Sequence, residues 1–372
     1  MRVVKTTSGL ATGTQSLTGK NNALLFKAGP GAYEDVRKRG FAAERIGTIA
    51  GASGGAKWLV LSQLDRVLIE HLLPTIPGPV HLLGSSIGAW RFACYAQEEP
   101  LKALERFERA YLEQRYSEKP DAAEITRKSR EILDEILGPD GAKQILAHTS
   151  CRLHVLTVRS SMLTSSERPW ILGAGLMSAA FVNLFSRRAL RAFFSRALFY
   201  DSRDLPPFYN AAGFPLHRIE LTDLNLREAI VASGAIPLVL HGVRDINGAP
   251  AGVYRDGGVI DYHLDLPLGE PDRLTLFPHF FEQLTPGWFD KRLPYRRHGA
   301  PATDRTILVC PSPEFIARLP DGKIPDRRDF YNYPPEKRVA NWQKTVAMCR
   351  ELADDLLDVI EHDQLAARLE PL

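Results

Sequence analysis

The sequence predicts an α/β fold with a mainly parallel central sheet and helices on both faces. Through its first 85 residues, the 372-residue chain alternates short apolar runs with longer segments of helical periodicity. Parallel strands need a crossover helix between them, so this alternation favours a parallel sheet covered by helices. The length is also ample for a substantial core.

Residues 23–83 supply the strand and helix pairs behind this prediction. The segment 8–22 is rich in Ser, Thr, Gly and Asn, so residues 1–22 are expected to be a flexible entry to the fold. The elements that follow are, in order, a strand at Ala23–Phe26, a helix at Tyr33–Arg39, a strand at Ile46–Ala50, a helix at Trp58–Leu73 and a strand at Val80–Leu83.

The residues from 100 onward continue the same domain, which we expect to span 23–330. Residues 100–147 predict charged surface helices, Leu153–Val158 and Thr306–Val309 predict strands, and the proline-rich segments 265–294 and 311–335 predict long surface loops. Within 331–372, one C-terminal helix is expected to pack on this domain through an apolar stripe of Val339, Trp342, Val346, Cys349, Leu352, Leu356 and Ile360.

Composition narrows the function classes. A net charge of +3, from 47 basic and 44 acidic residues, argues against nucleic acid as a partner. The four cysteines are widely spaced and fit neither a metal site nor a disulfide scaffold, which favours a cytoplasmic chain without a metal or other cofactor. No signal-peptide core or membrane span is evident, and the sequence leaves the oligomeric state open.

Two glycine motifs carry the chemistry. Gly84-Ser85-Ser86-Ile87-Gly88 follows an apolar strand, and a serine between two glycines at a strand-to-helix turn is how hydrolases expose a nucleophile. Far downstream, Asp256-Gly257-Gly258 places a carboxylate in a glycine turn. A serine hydroxyl needs a base to take its proton, so the two motifs together predict a Ser/Asp acyl hydrolase.

With a Gly-rich loop at 53–57, this order of motifs resembles the patatin-like phospholipases over roughly residues 45–268. The resemblance implies a three-layer sandwich and hydrolysis of carboxylic esters in lipids or phospholipids. It implies a Ser/Asp dyad in which Ser86 is the nucleophile and Asp256 the base, while the amides of Gly54, Gly55 and Ala56 form the oxyanion hole. Ser53 and Trp58 stand where the family loop has its first and last glycines.

Alternative residues remain for each role. Gly51-Ala-Ser53-Gly-Gly55 is a second GxSxG match, so Ser53 is the alternative nucleophile, although Ser86 uses both loops better. Asp261 and Asp265 are expected to be loop or capping residues. A conventional triad would add His263, which we expect instead to be a solvated or hydrogen-bonding loop residue.

The segment 165–200 combines an apolar stretch with Arg187, Arg188, Arg191 and Arg196. It predicts either an interfacial helix on an anionic membrane or a buried helix pair that covers the cleft or forms a subunit contact. A mobile lid would be consistent with both interpretations. Two other function classes stay open: a lipid-binding or scaffold protein that keeps the fold without activity, and a weaker candidate, a dinucleotide or phosphate binder.

Overall fold

The computed structural model describes residues 22–296 and 300–372. The predicted flexible segment 1–22 therefore lies outside the described residues, except for its last position. The strands are β1 Leu24–Ala28, β2 Ile46–Gly51, β3 Val80–Ser85, β4 Cys151–Ser160, β5 Phe194–Tyr200, β6 Leu216–Glu220, β7 Val243–Arg244, β8 Val253–Asp256, β9 Leu274–Pro278, β10 Thr306–Pro311 and β11 Leu369–Pro371.

The α-helices surround the sheet, and several 3₁₀ turns connect them. They are α1 Pro30–Arg39, α2 Ser62–Val67, α3 Ile87–Tyr95, α4 Pro100–Glu113, α5 Ala122–Leu137, α6 Gly141–Ala147, α7 Pro169–Phe185, α8 Leu226–Ser233, α9 Ala300–Thr303, α10 Pro313–Arg318, α11 Asp329–Asn332, α12 Pro335–Met348, α13 Arg350–Glu361 and α14 Leu365–Arg368. The predicted helix Trp58–Leu73 is a continuous helical segment that changes from 3₁₀ to α to π geometry.

One mixed sheet forms the centre of the molecule, in the order β11-β1-β10-β9-β2-β3-β4-β5-β6. Most neighbouring pairs are parallel, and β1–β10 and β4–β5 are antiparallel. Strands β7 and β8 lie off this path, where β8 pairs antiparallel with the second half of β4. The predicted α/β class is therefore confirmed.

The prediction of a surface loop at 265–294 is wrong, because strand β9 lies in it. Every residue of β9 is buried, between β10 and β2. Five residues, two of them Leu274 and Leu276, make a run too short to separate from an apolar loop by periodicity alone, and the prolines around it mask the signal.

Two further predictions are corrected in the last third of the chain. The predicted loop 311–335 contains α10 and α11. The single C-terminal helix is two helices, α12 and α13, which meet at Cys349. The apolar stripe continues from α12 into α13, since Trp342, Cys349 and Leu352 are all buried. Strand β11 pairs with β1, so the C-terminal residues lie in the same sheet as the first strand.

Candidate active site

The register of β4 brings the two glycine motifs together. Parallel β3 pairs with the first half of β4, and its last residue, Ser85, lies opposite Leu156. Antiparallel β8 pairs with the second half, and its last residue, Asp256, lies opposite Thr157. Two strands that run in opposite directions thus end at adjacent positions of β4, and the residues that follow them in sequence meet.

Ser86 occupies a sharp turn between β3 and α3. Its backbone has φ 54° and ψ −128°, a conformation that non-glycine residues adopt at an energetic cost. The turn is held by a hydrogen bond of 2.7 Å from the Ser86 amide to Ser233 Oγ, at the end of α8. Ser233 Oγ in turn donates to the Leu156 carbonyl at 2.7 Å. The surroundings therefore fix the strained turn that exposed serine nucleophiles occupy.

The Ser86 hydroxyl donates a hydrogen bond of 2.8 Å to Asp256 Oδ2. The other carboxylate oxygen, Oδ1, accepts from the Gly258 amide at 2.7 Å. Burial raises the pKa of Asp256 to about 6, although both hydrogen bonds and the charge of Lys291 act in the opposite direction. Asp256 can therefore exchange a proton near neutral pH.

Ser53 lies next to this pair but is hydrogen-bonded differently. Its hydroxyl donates to Ser85 Oγ at 3.0 Å, and its amide donates to the Tyr262 carbonyl at 2.9 Å. A Cβ on Gly258 would lie only 2.5 Å from Ser53 Oγ, so the glycine turn after Asp256 packs directly on this serine. Ser53, the alternative nucleophile, thus packs between the Ser86 motif and the Asp256 motif.

Gly54, Gly55 and Ala56 lie where a Gly-rich loop enters a 3₁₀-helix that starts at Gly55. Gly55 has φ +56°, which favours glycine. The three residues thus stand at the start of a helix, where the first amides have no acceptor within the helix.

The other polar candidates have structural partners. Asp261 is buried and bonded to Arg196 through two contacts of 2.6 and 2.7 Å, and Asp265 forms an ion pair with Arg187 at 3.0 Å. Of the two roles expected for His263, the structure shows the hydrogen-bonding one: the side chain is 3% exposed and its Nδ1 accepts from the Thr285 amide at 2.9 Å.

Comparison with known proteins gives the family. The family model "Patatin-like phospholipase" matches residues 50–263, more than half of the chain. The chain belongs to the patatin-like phospholipase family. This confirms the resemblance inferred from the motifs. The match begins at the end of β2 and includes the Gly-rich loop, Ser86 and Asp256.

Among solved structures, VipD from Legionella pneumophila is similar to 73% of this chain, with 12% identity and a TM-score of 0.31. The similarity covers 56% of the VipD chain, so the present chain spans little more than half of that structure. No curated protein gave a significant match.

The structure gives a physical reason for one departure from the patatin pattern. Trp58, in place of the last loop glycine, is fully buried and stacks on Phe107 with ring centroids 4.3 Å apart. Its edge faces Tyr111. The side chain therefore packs in the core and anchors the helix that follows the loop.

In the 165–200 segment, α7 is followed by a 3₁₀ turn and strand β5, so the second helix of the predicted pair is wrong. Residues 194–199 form a buried strand, which periodicity did not distinguish from a helix. Of the four arginines that the interfacial alternative would place at a lipid surface, Arg196 is buried and paired with Asp261, and Arg187 is paired with Asp265 and Asp290. Arg188 and Arg191 are exposed.

One face of α7 is apolar and exposed. Trp170, Met177, Phe181 and Phe185 are 72%, 75%, 63% and 76% exposed. The opposite face packs on a small core that includes Val259 and Ile260, directly after the Asp256 glycine turn. The exposed face therefore lies on the helix that supports one side of the site.

Sequence reasoning missed three residues near the pair: Ser233, Tyr262 and Lys291. Ser233 is the last residue of α8, and nothing in the sequence marked its hydroxyl as the acceptor for the Ser86 amide. Lys291 and Tyr262 carry no local signal. In the described parts of the chain, no helix is long and apolar enough to cross a membrane, and no cluster of three metal-ligating side chains is found.

Proposed function

We propose that the protein is a serine lipid acyl hydrolase in which Ser86 and Asp256 form a catalytic dyad. The observation that carries this proposal is the 2.8 Å hydrogen bond between Ser86 Oγ and Asp256 Oδ2, made at a strained strand-to-helix turn. Its neighbour Ser53 donates to Ser85 instead, which supports Ser86 as the nucleophile.

The reaction proceeds in two halves. Asp256 takes the hydroxyl proton as Ser86 Oγ forms a bond to the ester carbonyl carbon, and the carbonyl oxygen becomes an oxyanion. Amides in the segment 54–56 stabilise that charge. The ester C–O bond then breaks, the alcohol leaves with the proton from Asp256, and water hydrolyses the acyl-enzyme with Asp256 again as base.

The exposed face of α7 would place the enzyme on a lipid surface. Its four large apolar side chains form an exposed stripe, and large patches of this kind mark interaction sites. The exposed Arg188 and Arg191 follow directly after the helix and suit anionic headgroups. An anionic membrane thus matches both the apolar face and the charge beside it.

Labelling with a fluorophosphonate, which reacts covalently with an activated serine, tests the dyad. The wild type and Ser53→Ala are expected to be labelled on Ser86 and to hydrolyse a short-chain ester, whereas Ser86→Ala loses both properties with an unchanged melting temperature. Label on Ser53 would reverse the assignment. If a folded wild type shows neither labelling nor turnover, the chain is a lipid-binding or scaffold protein, the class that the altered loop residues at 53 and 58 suggested.

A further inference from the structure

Two lysines converge on one aromatic ring beside the site. Lys57 Nζ lies 3.5 Å from Tyr262 Oη, and Lys291 Nζ lies 3.7 Å from the centroid of the same ring. One ammonium group therefore meets the edge of the ring and the other its face. Such a contact orients a cation but does not neutralise it.

The chain places this cluster against the catalytic elements. Lys57 follows Ala56 directly in the 3₁₀-helix that starts at Gly55. The Tyr262 carbonyl accepts from the Ser53 amide, which ties the ring's backbone to the same loop. Lys291 is close enough for its charge to lower the pKa of the Asp256 carboxyl. The Lys291 ammonium group thus lies within electrostatic reach of the Ser86–Asp256 pair, and Lys57 lies on the loop beside it.

Nearby carboxylates offset the two ammonium groups only in part: the charge of Asp256 favours the charged form of Lys291 and that of Asp326 favours the charged form of Lys57, yet the pKa of each lysine is lowered. Within residues 22–296 and 300–372, neither lysine forms an ion pair with a carboxylate. Asp290, next to Lys291, is held by Asn183 at 2.9 Å and Arg187 at 3.2 Å. The nearby Asp326, which favours the charged form of Lys57, lies 3.6 Å from Lys323.

The lowered pKa values of the two lysines show that holding both positive charges at this site is unfavourable. Burial and the charge of Lys57 lower the pKa of Lys291 to about 7, and burial lowers the pKa of Lys57. Arg327 acts in the same direction on both groups. Positive charges held together at this cost are stabilised when an anion binds between them.

We propose that Lys57, Lys291 and Tyr262 form a subsite that binds a phosphate monoester carried by the substrate next to the acyl ester. Two ammonium groups match the two charges of a monoester, and both lysines and Tyr262 supply hydrogen-bond donors for its oxygens. Arg327 adds positive charge, which disfavours a zwitterionic headgroup with a terminal cation. The preferred substrate class is then acyl esters of glycerol phosphate, a specificity that rests on the proposed hydrolase function.

Soluble short-chain lipids test the subsite without a membrane. The wild type should hydrolyse dihexanoyl phosphatidate with a higher kcat/KM than dihexanoyl phosphatidylcholine or dihexanoylglycerol. In Lys291→Gln, the ratio of kcat/KM for phosphatidate to kcat/KM for dihexanoylglycerol should fall about tenfold, which is the effect expected from the loss of one hydrogen bond to a charged group. The ratio should fall further in the double variant Lys57→Gln/Lys291→Gln. The exposed surface variant Lys143→Gln is the control and should keep the wild-type ratio.

Because the ratio compares two substrates of the same variant, any effect of the substitution on the Ser86–Asp256 pair itself cancels. Equal or better turnover of phosphatidylcholine by the wild type, or an unchanged ratio in a folded Lys291→Gln, would overturn the subsite while leaving the hydrolase intact. Loss of turnover on every ester by the wild type would instead reject the hydrolase function. Inorganic phosphate should compete with dihexanoylglycerol hydrolysis. If it competes without a preference for phosphatidate, the cluster binds free phosphate and the headgroup assignment is wrong.

Discussion

Replacing Asp256 with asparagine should stabilise the protein while removing its activity. Asparagine keeps the shape and the acceptor for the Gly258 amide, but it has no charge to bury. In the folded protein the pKa of Asp256 is raised from 3.8 to about 6, so ionisation is costlier there than in the unfolded chain. At 1.36 kcal/mol per unit, the buried carboxylate costs about 3 kcal/mol at neutral pH.

The sign of the pH dependence follows from the raised pKa. Between about pH 4 and 6 the unfolded chain loses this proton while the folded protein keeps it, so wild-type stability falls as the pH rises through that window. The asparagine does not titrate. The advantage of Asp256→Asn should therefore be complete above pH 7 and shrink towards pH 4. For 372 residues, 3 kcal/mol corresponds to about 4 °C in melting temperature.

Thermal unfolding at pH 8 and pH 4.5, with kcat on a soluble ester, measures both effects. We expect kcat to fall by about 10²- to 10⁴-fold. Asp261→Asn is the matched control, because Asp261 is also buried but is bonded to Arg196. Neutralising it leaves a buried guanidinium group unpaired, which costs about 3–5 kcal/mol. A lower melting temperature for Asp256→Asn than for wild type at pH 8 would refute the argument.

Three further predictions concern the base, the turn and the exposed helix. On a soluble ester, kcat/KM should fall as the pH drops below about 6, where Asp256 becomes protonated. The Lys291 charge lowers the pKa of Asp256, so Lys291→Gln should shift this fall in kcat/KM to higher pH. An unshifted pH profile in the variant would contradict this prediction. Ser233→Ala should slow fluorophosphonate labelling about tenfold with little change in KM, since the nucleophile's amide loses its acceptor; an unchanged labelling rate assigns Ser233 no positioning role. Phe181→Ser/Phe185→Ser should weaken sedimentation with anionic liposomes but spare soluble-ester hydrolysis, whereas the exposed Tyr331→Ser should bind like wild type; wild-type binding by the double variant would reject this face.

The sequence by itself determined the α/β class and the family, because both depend on local patterns. The strand Val80–Ser85 carries Val80, Leu82 and Leu83 in a short, largely apolar run. The turns around Ser86 and Asp256 need glycine at fixed positions to avoid steric overlap. Where the local signal was weak, the prediction failed: the five-residue strand Leu274–Pro278 lies among prolines, and Phe194–Tyr200 follows an arginine-rich turn. A short apolar run has no periodicity that separates strand from helix or loop.

Which side chains of the site contact one another depends on the tertiary structure. Ser86 and Asp256 are 170 residues apart, and their contact depends on two strands ending at adjacent positions of β4, a register that neither motif encodes. The same holds for Arg187 and Arg196, which the sequence placed at a lipid surface and the fold pairs with aspartates. Sequence patterns report the preferences of neighbours along the chain, whereas the pKa of Asp256 and the convergence of Lys57 and Lys291 arise from burial and charges that distant segments supply.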